Sequence, residues 1–241
     1  MSSSDLASPE LGRNLTFGLL DRLGSQIVTG VFAGRPFPTE ADISAAHGVS
    51  RSVTREAIKM LAAKGMLSAR PRQGITLRPE ADWNLLDPAV LGWLLQRKVS
   101  IDLLVQFNQL RAAIEPAAAA LAAVSASAAG LAEIERGFAR MVAADGGRDD
   151  GLDADIAFHL AVLRASGNPF FMQFRELVST ALRTSIRFTN RIVGRSADLE
   201  AHGAVREAIG RRDPAAARAA MAAIIGDVME VISGHTELAA D

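Results

Sequence analysis

From Pro79 onward the chain keeps a helical period almost without interruption. Three of its breaks are an Asx residue followed directly by proline: Asp87-Pro88, Asn168-Pro169 and Asp213-Pro214. The Asx side chain accepts from the free N–H groups of a starting helix, and the fixed φ of proline suits the first helical position. Each pair therefore predicts a helix start. Periodic apolar residues predict helices over about 87–97, 100–124, 127–144, 150–166, 169–192, 197–211 and 214–237. Such a segment buries its apolar stripes only by packing helix on helix. With 49% apolar residues but 5% aromatic and no Tyr, the contacts fall to Ala, Leu, Ile and Val, and alanine-rich segments favour helix.

The front of the chain is punctuated differently. Residues 15–31 predict a helix with Leu19, Leu20, Leu23, Ile27 and Val31 on one stripe, ended by GRPFPTE at 34–40. Thr39, with Asp42 three residues on, predicts the capped start of a short helix through His47, and Gly48 ends it. Ser50 can cap the next helix, whose apolar positions are Val53, Ala57, Ile58, Leu61 and Ala62, with Gly65 as its stop. MLSAR at 66–70, a turn at PRQG and ITLRP at 75–79 predict a hairpin. The expected organisation is a polar tail over 1–10, a three-helix unit with a hairpin over 11–79, and an all-helical domain over 80–241.

Several classes are excluded or disfavoured. With no cysteine the chain has no disulfide, thiolate metal site or cysteine nucleophile. No apolar run of about 18 residues is present to span a membrane. The start lacks the apolar core of a signal peptide, so a cytoplasmic protein is expected. The net charge of −1 conceals an asymmetry: residues 10–80 carry ten basic against six acidic residues, residues 81–241 sixteen against twenty. A basic front predicts that this part alone meets a polyanion.

Two short helices joined at HGVS and followed by a hairpin predict a winged helix-turn-helix. Its second helix would enter the major groove of double-stranded operator DNA by its N-terminal end. That end carries donors and no acid before Glu56: Ser50, Arg51, Ser52, Thr54 and Arg55. Arginine can donate to guanine in bidentate fashion, while hydroxyls more often hold phosphates. Arg70, Arg72 and Gln73 fall in the wing. The stretch PTEADISAAHGVSRSVTREAIKMLAAKGMLSARPRQGITL resembles the DNA-binding domain of the GntR family of bacterial regulators. The resemblance implies DNA contacts at Ser50, Arg51, Ser52, Thr54, Arg55 and, in the wing, Gln73 and Gly74. Family members often have a basic residue where this chain has Ala41, so the operator sequence does not transfer from relatives.

In the helical part, Asp155 and His159 stand at i and i+4 in DADIAFH and share one helix face. His202 opens another helix and Arg111 lies on an earlier one. An Asp with two His suits Zn, Ni or Mn. The order R-x-x-x-E, D-x-x-x-H, then H followed by A-I-x-x-x-D-P, resembles the FCD effector domain of the FadR branch of GntR regulators. The resemblance implies metal ligands at Asp155, His159 and His202. A fourth histidine would fall at Ile224, which cannot ligate, and His235 lies too near the end to replace it. Either the site has lost its metal and the histidines line a pocket, or three protein ligands leave positions for water or a chelating effector; the second is favoured.

The run WNLLDPAVLGWLL at 83–95 and the RxxxEP from Arg111 to Pro116 look like the sugar-acid-responsive members, those of galactonate-type operons among them. Arg111 could then pair with an effector carboxylate, and Arg183, Arg187 and Asn190 are candidates for its polyol end. Trp83 and Trp93 are expected to pack at the domain junction. The preferred expectation is a homodimeric repressor of a sugar-acid catabolic operon, released from DNA by its effector. Alternatives are a regulator answering another small carboxylate, a metal-dependent hydrolase or lyase on the Asp/His/His site, and a helical DNA-binding scaffold without effector. The enzyme alternative lacks an evident general base and leaves the DNA-binding part unexplained.

Overall fold

A computed structural model describes residues 9–70, 74–97, 100–193 and 198–234; the side chains before Asn14, that of Arg187 and those from Thr189 to Val193 lie outside it. The architecture is mainly α with one small two-stranded sheet. No described helix is long and apolar enough to cross a membrane. The chain divides into two compact units, Met1–Lys98 and Val99–Asp241.

In the first unit α1 (Pro9–Val28), α2 (Glu40–His47) and α3 (Arg51–Ala63) precede the hairpin of β1 (Leu67–Arg70) and β2 (Gly74–Leu77), and α4 (Pro88–Leu94) closes it. The strands are antiparallel, with Leu67 opposite Leu77 and Arg70 opposite Gly74. α1 stops at Val28, which is buried, whereas Val31 lies beyond the helix and is exposed. The expected stripe thus ends one turn early, where Gly30 takes a positive φ. Thr39 and Asp42 form the predicted capping box on α2. Gly48 closes α2 in the left-handed conformation, and Ser50 caps α3 by accepting from the Val53 N–H. The core is Leu19, Leu20, Leu23, Ile27, Ile43, Ala57, Ile58, Leu61 and Met66.

The division between units falls at Lys98/Val99 rather than near residue 80. Residues after the wing stay with the first unit because specific contacts hold them there. Trp83 donates to the Arg78 carbonyl (3.1 Å), the Asn84 N–H donates to the Lys64 carbonyl (2.8 Å), and Lys64 pairs with Asp87 at 2.7 Å. Trp93 donates to Asp21 Oδ1 at 2.6 Å and lies over Gly24, where a Cβ would come within 2.5 Å of the indole.

The second unit is a helical bundle: α5 (Ile101–Ser125), α6 (Ala128–Asp145), α7 (Gly151–Ala165), α8 (Arg175–Val193), α9 (Leu199–Gly210) and α10 (Pro214–Ser233). α5 presents buried Ala118, Ala119, Ala122 and Ala123, and α10 packs along this small-residue face. α6 and α7 also approach closely, since a Cβ on Gly137 would sit 2.9 Å from Phe158 Cα. Asp87 and Asp213 cap α4 and α10 as their Asx-Pro pairs predict. Asn168-Pro169 does not start α8. It opens a turn in which Asn168 Oδ1 accepts from the Phe170 N–H, followed by a 3-10 segment, Phe171–Phe174, whose aromatic residues pack on the core before α8 begins.

Candidate functional site

The N-terminal end of α3 is an exposed donor surface with no acid in its first turn. Arg51, Ser52 and Arg55 are exposed, and Ser50 Oγ, besides capping, lies 2.8 Å from Ser52 Oγ. Free N–H groups and the helix dipole make this end attractive to phosphate. Thr54 is not part of this surface. Its side chain is fully buried, with Oγ1 2.8 Å from Ser44 Oγ in the seam between α2 and α3. Three residues beyond Arg51, it turns inward, and its hydroxyl joins the two helices instead of facing outward with Arg51 and Ser52. Arg55 is paired with Glu40 at the start of α2, Nη2 to Oε2 at 3.2 Å. The pairings of Glu40 and Ser44 were not legible in the sequence because their partners lie on the next helix. In the wing, Arg70 and Gly74 are exposed; Arg72 and Gln73 lie outside the described residues.

The second unit brings Asp155, His159 and His202 together as a buried cluster. α7 presents Asp155 and His159 one turn apart, and α9 brings His202. Asp155 Oδ1 is 3.0 Å from His202 Nε2 and 3.4 Å from His159 Nε2, and the two Nε2 atoms are 3.3 Å apart. In a tetrahedral zinc site with bonds of about 2.0–2.1 Å the ligand atoms stand about 3.3 Å from each other. The triangle therefore has the size of one face of such a site.

The opposite edges of both rings are committed. His202 Nδ1 lies 2.6 Å from the Asp198 carbonyl, which can only accept, so Nδ1 carries a proton. His159 Nδ1 meets the Glu115 carboxylate. In the neutral rings both Nε2 atoms then direct lone pairs toward Asp155 Oδ1, which has no hydrogen bond of good geometry despite its burial. Three electron-pair donors converging on one point suit a cation, either a proton on His159 in the metal-free protein or a metal ion, and the carboxylate and carbonyl behind the rings are the outer partners that metal-bound histidines usually have. The donor set fits zinc, with nickel or manganese also compatible.

For the side chains alone, burial would raise the Glu115 carboxyl, but Arg111 and His159 outweigh it and hold it at about 2. Burial would lower His159, yet the Glu115 charge and then Asp155 push it up to about 9. Asp155 is likewise held below its usual range by the two histidines against the opposing effect of burial.

A buried polar chain leads away from this cluster. Arg111 Nε donates to Glu115 Oε1 (2.6 Å) and its Nη1 to Asn108 Oδ1 (3.2 Å), while Asn108 Nδ2 donates to Ser185 Oγ (2.8 Å). Arg111 Nη2 is buried with no partner. Glu115, Asn108 and Ser185 had no assigned role in the sequence. The signal for Glu115 was its place in the R-x-x-x-E and RxxxEP patterns, at i,i+4 from Arg111 on one helix face. Arg183 is partly exposed and paired with Asp153 at 3.2 Å. The side chains of Arg187 and Asn190 lie outside the described residues, as does His235. Ile224 is buried in the apolar cluster that includes Phe158 and Val205.

Comparison with known proteins accords with both halves. Residues 18–77 match the bacterial regulatory proteins of the gntR family, and residues 106–227 match the FCD domain. The chain is 33% identical over 217 residues to the galactonate operon transcriptional repressor of Escherichia coli, covering 88% of this chain and 94% of that protein. It is 32% identical over 228 residues to the HTH-type transcriptional regulator YieP of the same organism, covering 93% and 97%. The HTH-type transcriptional regulator LutR of Bacillus subtilis is 30% identical over 195 residues, covering 78% and 87%. Among solved structures, Lar of Listeria monocytogenes has the same fold, with a TM-score of 0.61 at 18% identity over 91% of this chain and 97% of that one.

Proposed function

The chain belongs to the gntR family of bacterial regulatory proteins and carries an FCD domain, and from that premise we propose that it represses a sugar-acid catabolic operon and leaves DNA when its effector binds at the Asp155/His159/His202 site. It is a DNA-binding transcriptional regulator rather than an enzyme. The observation that carries the effector reading is the convergence of Asp155 Oδ1 and two histidine Nε2 atoms within 3.4 Å of one another. Zinc, when bound there, would supply a Lewis-acid anchor for a carboxylate and its neighbouring hydroxyl. With Ile224 in place of a fourth protein ligand, coordination positions remain for such a chelating molecule.

Charge supports a monoanionic effector. Among the described residues the buried ionisable side chains of this unit are Arg111, Glu115, Asp155, His159 and His202. A divalent ion on neutral imidazoles, together with Arg111 and the two carboxylates, leaves one net positive charge in a site where uncompensated charge is costly. One carboxylate on the effector neutralises it. The galactonate operon repressor, by its name, acts on an operon for one such acid.

Repression would use a homodimer that sets two α3 helices into successive major grooves of a pseudo-palindrome. Release requires the effector to bind more tightly to a dimer geometry that misplaces those helices. Thermal unfolding of the purified protein against sugar acids and hydroxy acids, before and after chelator and with zinc restored, tests this reading. An acid that raises the midpoint by mass action and loses its effect with chelator supports it. A shift that survives chelator makes the histidines direct contacts, and no shift with any acid rejects the sugar-acid effector.

A further inference from the structure

Among the described residues of the second unit, Glu115 is the one buried carboxylate that both a cation and a histidine engage. Its Oε1 accepts from Arg111 Nε at 2.6 Å, and its Oε2 meets His159 Nδ1. Its side chain is 1% exposed, as is that of Arg111. The arrangement has a consequence for His159. With Arg111 bound to one oxygen the carboxylate is ionised and can only accept, so the Nδ1 of His159 must carry the proton. In the neutral ring, the form a metal needs, the lone pair then sits on Nε2, the atom that faces Asp155 and His202.

The geometry points to Glu115 as the positioning residue of the site: by bridging Arg111 and His159 it selects the histidine tautomer that can ligate a metal. Arg111 has an indirect part, because it dictates which way a carboxamide at position 115 would turn. In Glu115→Gln the charged Arg111 donor claims the amide oxygen. The amide NH2 is then left against His159 Nδ1, which must become an acceptor. The proton moves to Nε2, and the atom aimed at the metal loses its lone pair. Removing the arginine as well frees the amide to turn its oxygen toward His159 and restores the original tautomer. A role limited to filling space or holding α5 against α7 predicts no such rescue, since the double variant lacks more of the native contacts than the single one.

This inference rests on the metal reading proposed above, and the experiment separates the two. Zinc affinity is measured by competition with a chromogenic chelator for the full chain, for Glu115→Gln and for Arg111→Met/Glu115→Gln, with melting curves of the zinc-free proteins as the check on folding. The single variant is expected to lose about 10- to 100-fold in affinity, the range for outer partners of metal-bound histidines. The double variant is expected to regain most of that loss. Nitrogen-labelled histidine spectra of the zinc-loaded unmodified protein give a readout without any substitution: Nε2 of His159 should be metal-bound and Nδ1 protonated. Undiminished affinity in the single variant, a double variant weaker than the single, or coordination through Nδ1 overturns the role of Glu115 and leaves the metal site standing. If the unmodified protein takes up no zinc, nickel or manganese, the metal reading itself fails, and with it this role.

Discussion

His159 and His202 meet with their Nε2 atoms 3.3 Å apart and their rings at 89°. Because the Nδ1 atoms of both rings already have acceptors, two neutral imidazoles in this arrangement confront each other with lone pairs. A proton or a cation between them removes that repulsion. Zinc is therefore expected to raise the melting temperature, by the equivalent of about 2.7 kcal/mol when free zinc is 100 times its dissociation constant. His202→Ala should abolish the increase while the protein still folds. A variant that retains the full zinc shift would show that the ion binds elsewhere.

The zinc response should depend on pH with a definite sign. His159 is raised from 6.5 to about 9 in the folded protein without metal. Its charged form thus adds stability that is complete below pH 6.5 and is lost as pH rises through about 9. Glu115, lowered from 4.5 to about 2, adds stability above pH 4.5 that is lost as pH falls toward 2. Zinc needs neutral His159, so its binding at pH 7.5 must release a proton. Calorimetry in buffers of different ionisation enthalpy should detect the release, with apparent affinity rising about tenfold per pH unit until His159 has titrated. Affinity flat between pH 7 and 9 would show that His159 is already neutral at pH 7 in the metal-free protein, against the rise that Glu115 and Asp155 impose.

Thr54→Val separates the buried hydroxyl from the DNA surface. Valine keeps the shape and loses only the contact with Ser44 Oγ, whose own bond to the Glu40 carbonyl remains. Stability should fall by about 1 kcal/mol, with DNA affinity unchanged for any duplex. Weaker binding at an unchanged melting temperature would place Thr54 back among the DNA contacts.

Features that depend on neighbours along the chain were legible in the sequence. The Thr39/Asp42 capping box, the left-handed Gly48 and the caps at Asp87 and Asp213 all follow from spacing within a turn. Features set by packing between elements were not. The helical period of α3 was clear, but that α2 covers its Thr54 face was not encoded locally. Asp155 and His159 were legible from their i,i+4 spacing, and the resemblance to the FCD domain joined His202 to them. Glu115 lies 44 residues from the histidine it positions, and nothing in RxxxE says which later side chain will meet it. The segment after the wing carried helical period alone, which does not reveal that Trp93 would settle over Gly24.

That contact leads to a stability prediction. A Cβ at Gly24 would fall 2.5 Å from Trp93 ring atoms, and the indole cannot retreat freely because its Nε1 is bonded to Asp21. Gly24→Ala should destabilise by about 1–3 kcal/mol through overpacking, even though alanine favours helix. Combining it with Trp93→Leu should make the two losses less than additive. Additive losses, or a Gly24→Ala protein as stable as the unmodified one, would contradict the docking of 80–97 on α1.

Arg51 and Arg55 should behave differently on DNA. Arg51 is exposed at the start of α3 with no ion pair among the described residues, whereas Arg55 is held by Glu40. If Arg51 reads a base, Arg51→Ala costs about 1–3 kcal/mol on an operator selected from random duplexes and far less on unselected DNA. Glu40→Gln should leave stability nearly unchanged, because an exposed pair contributes about 0–1 kcal/mol. Its effect should appear on DNA instead. Without Glu40 the guanidinium is free to bind any phosphate, so unselected DNA should bind more tightly and its salt dependence should steepen by about one phosphate contact. The selected operator should gain less or lose affinity, because the carboxylate no longer aims the Arg55 fork. Titration of both duplexes at two salt concentrations decides it: equal gains on both would show that Glu40 only screens Arg55, and a narrowed ratio between them would show that it directs it.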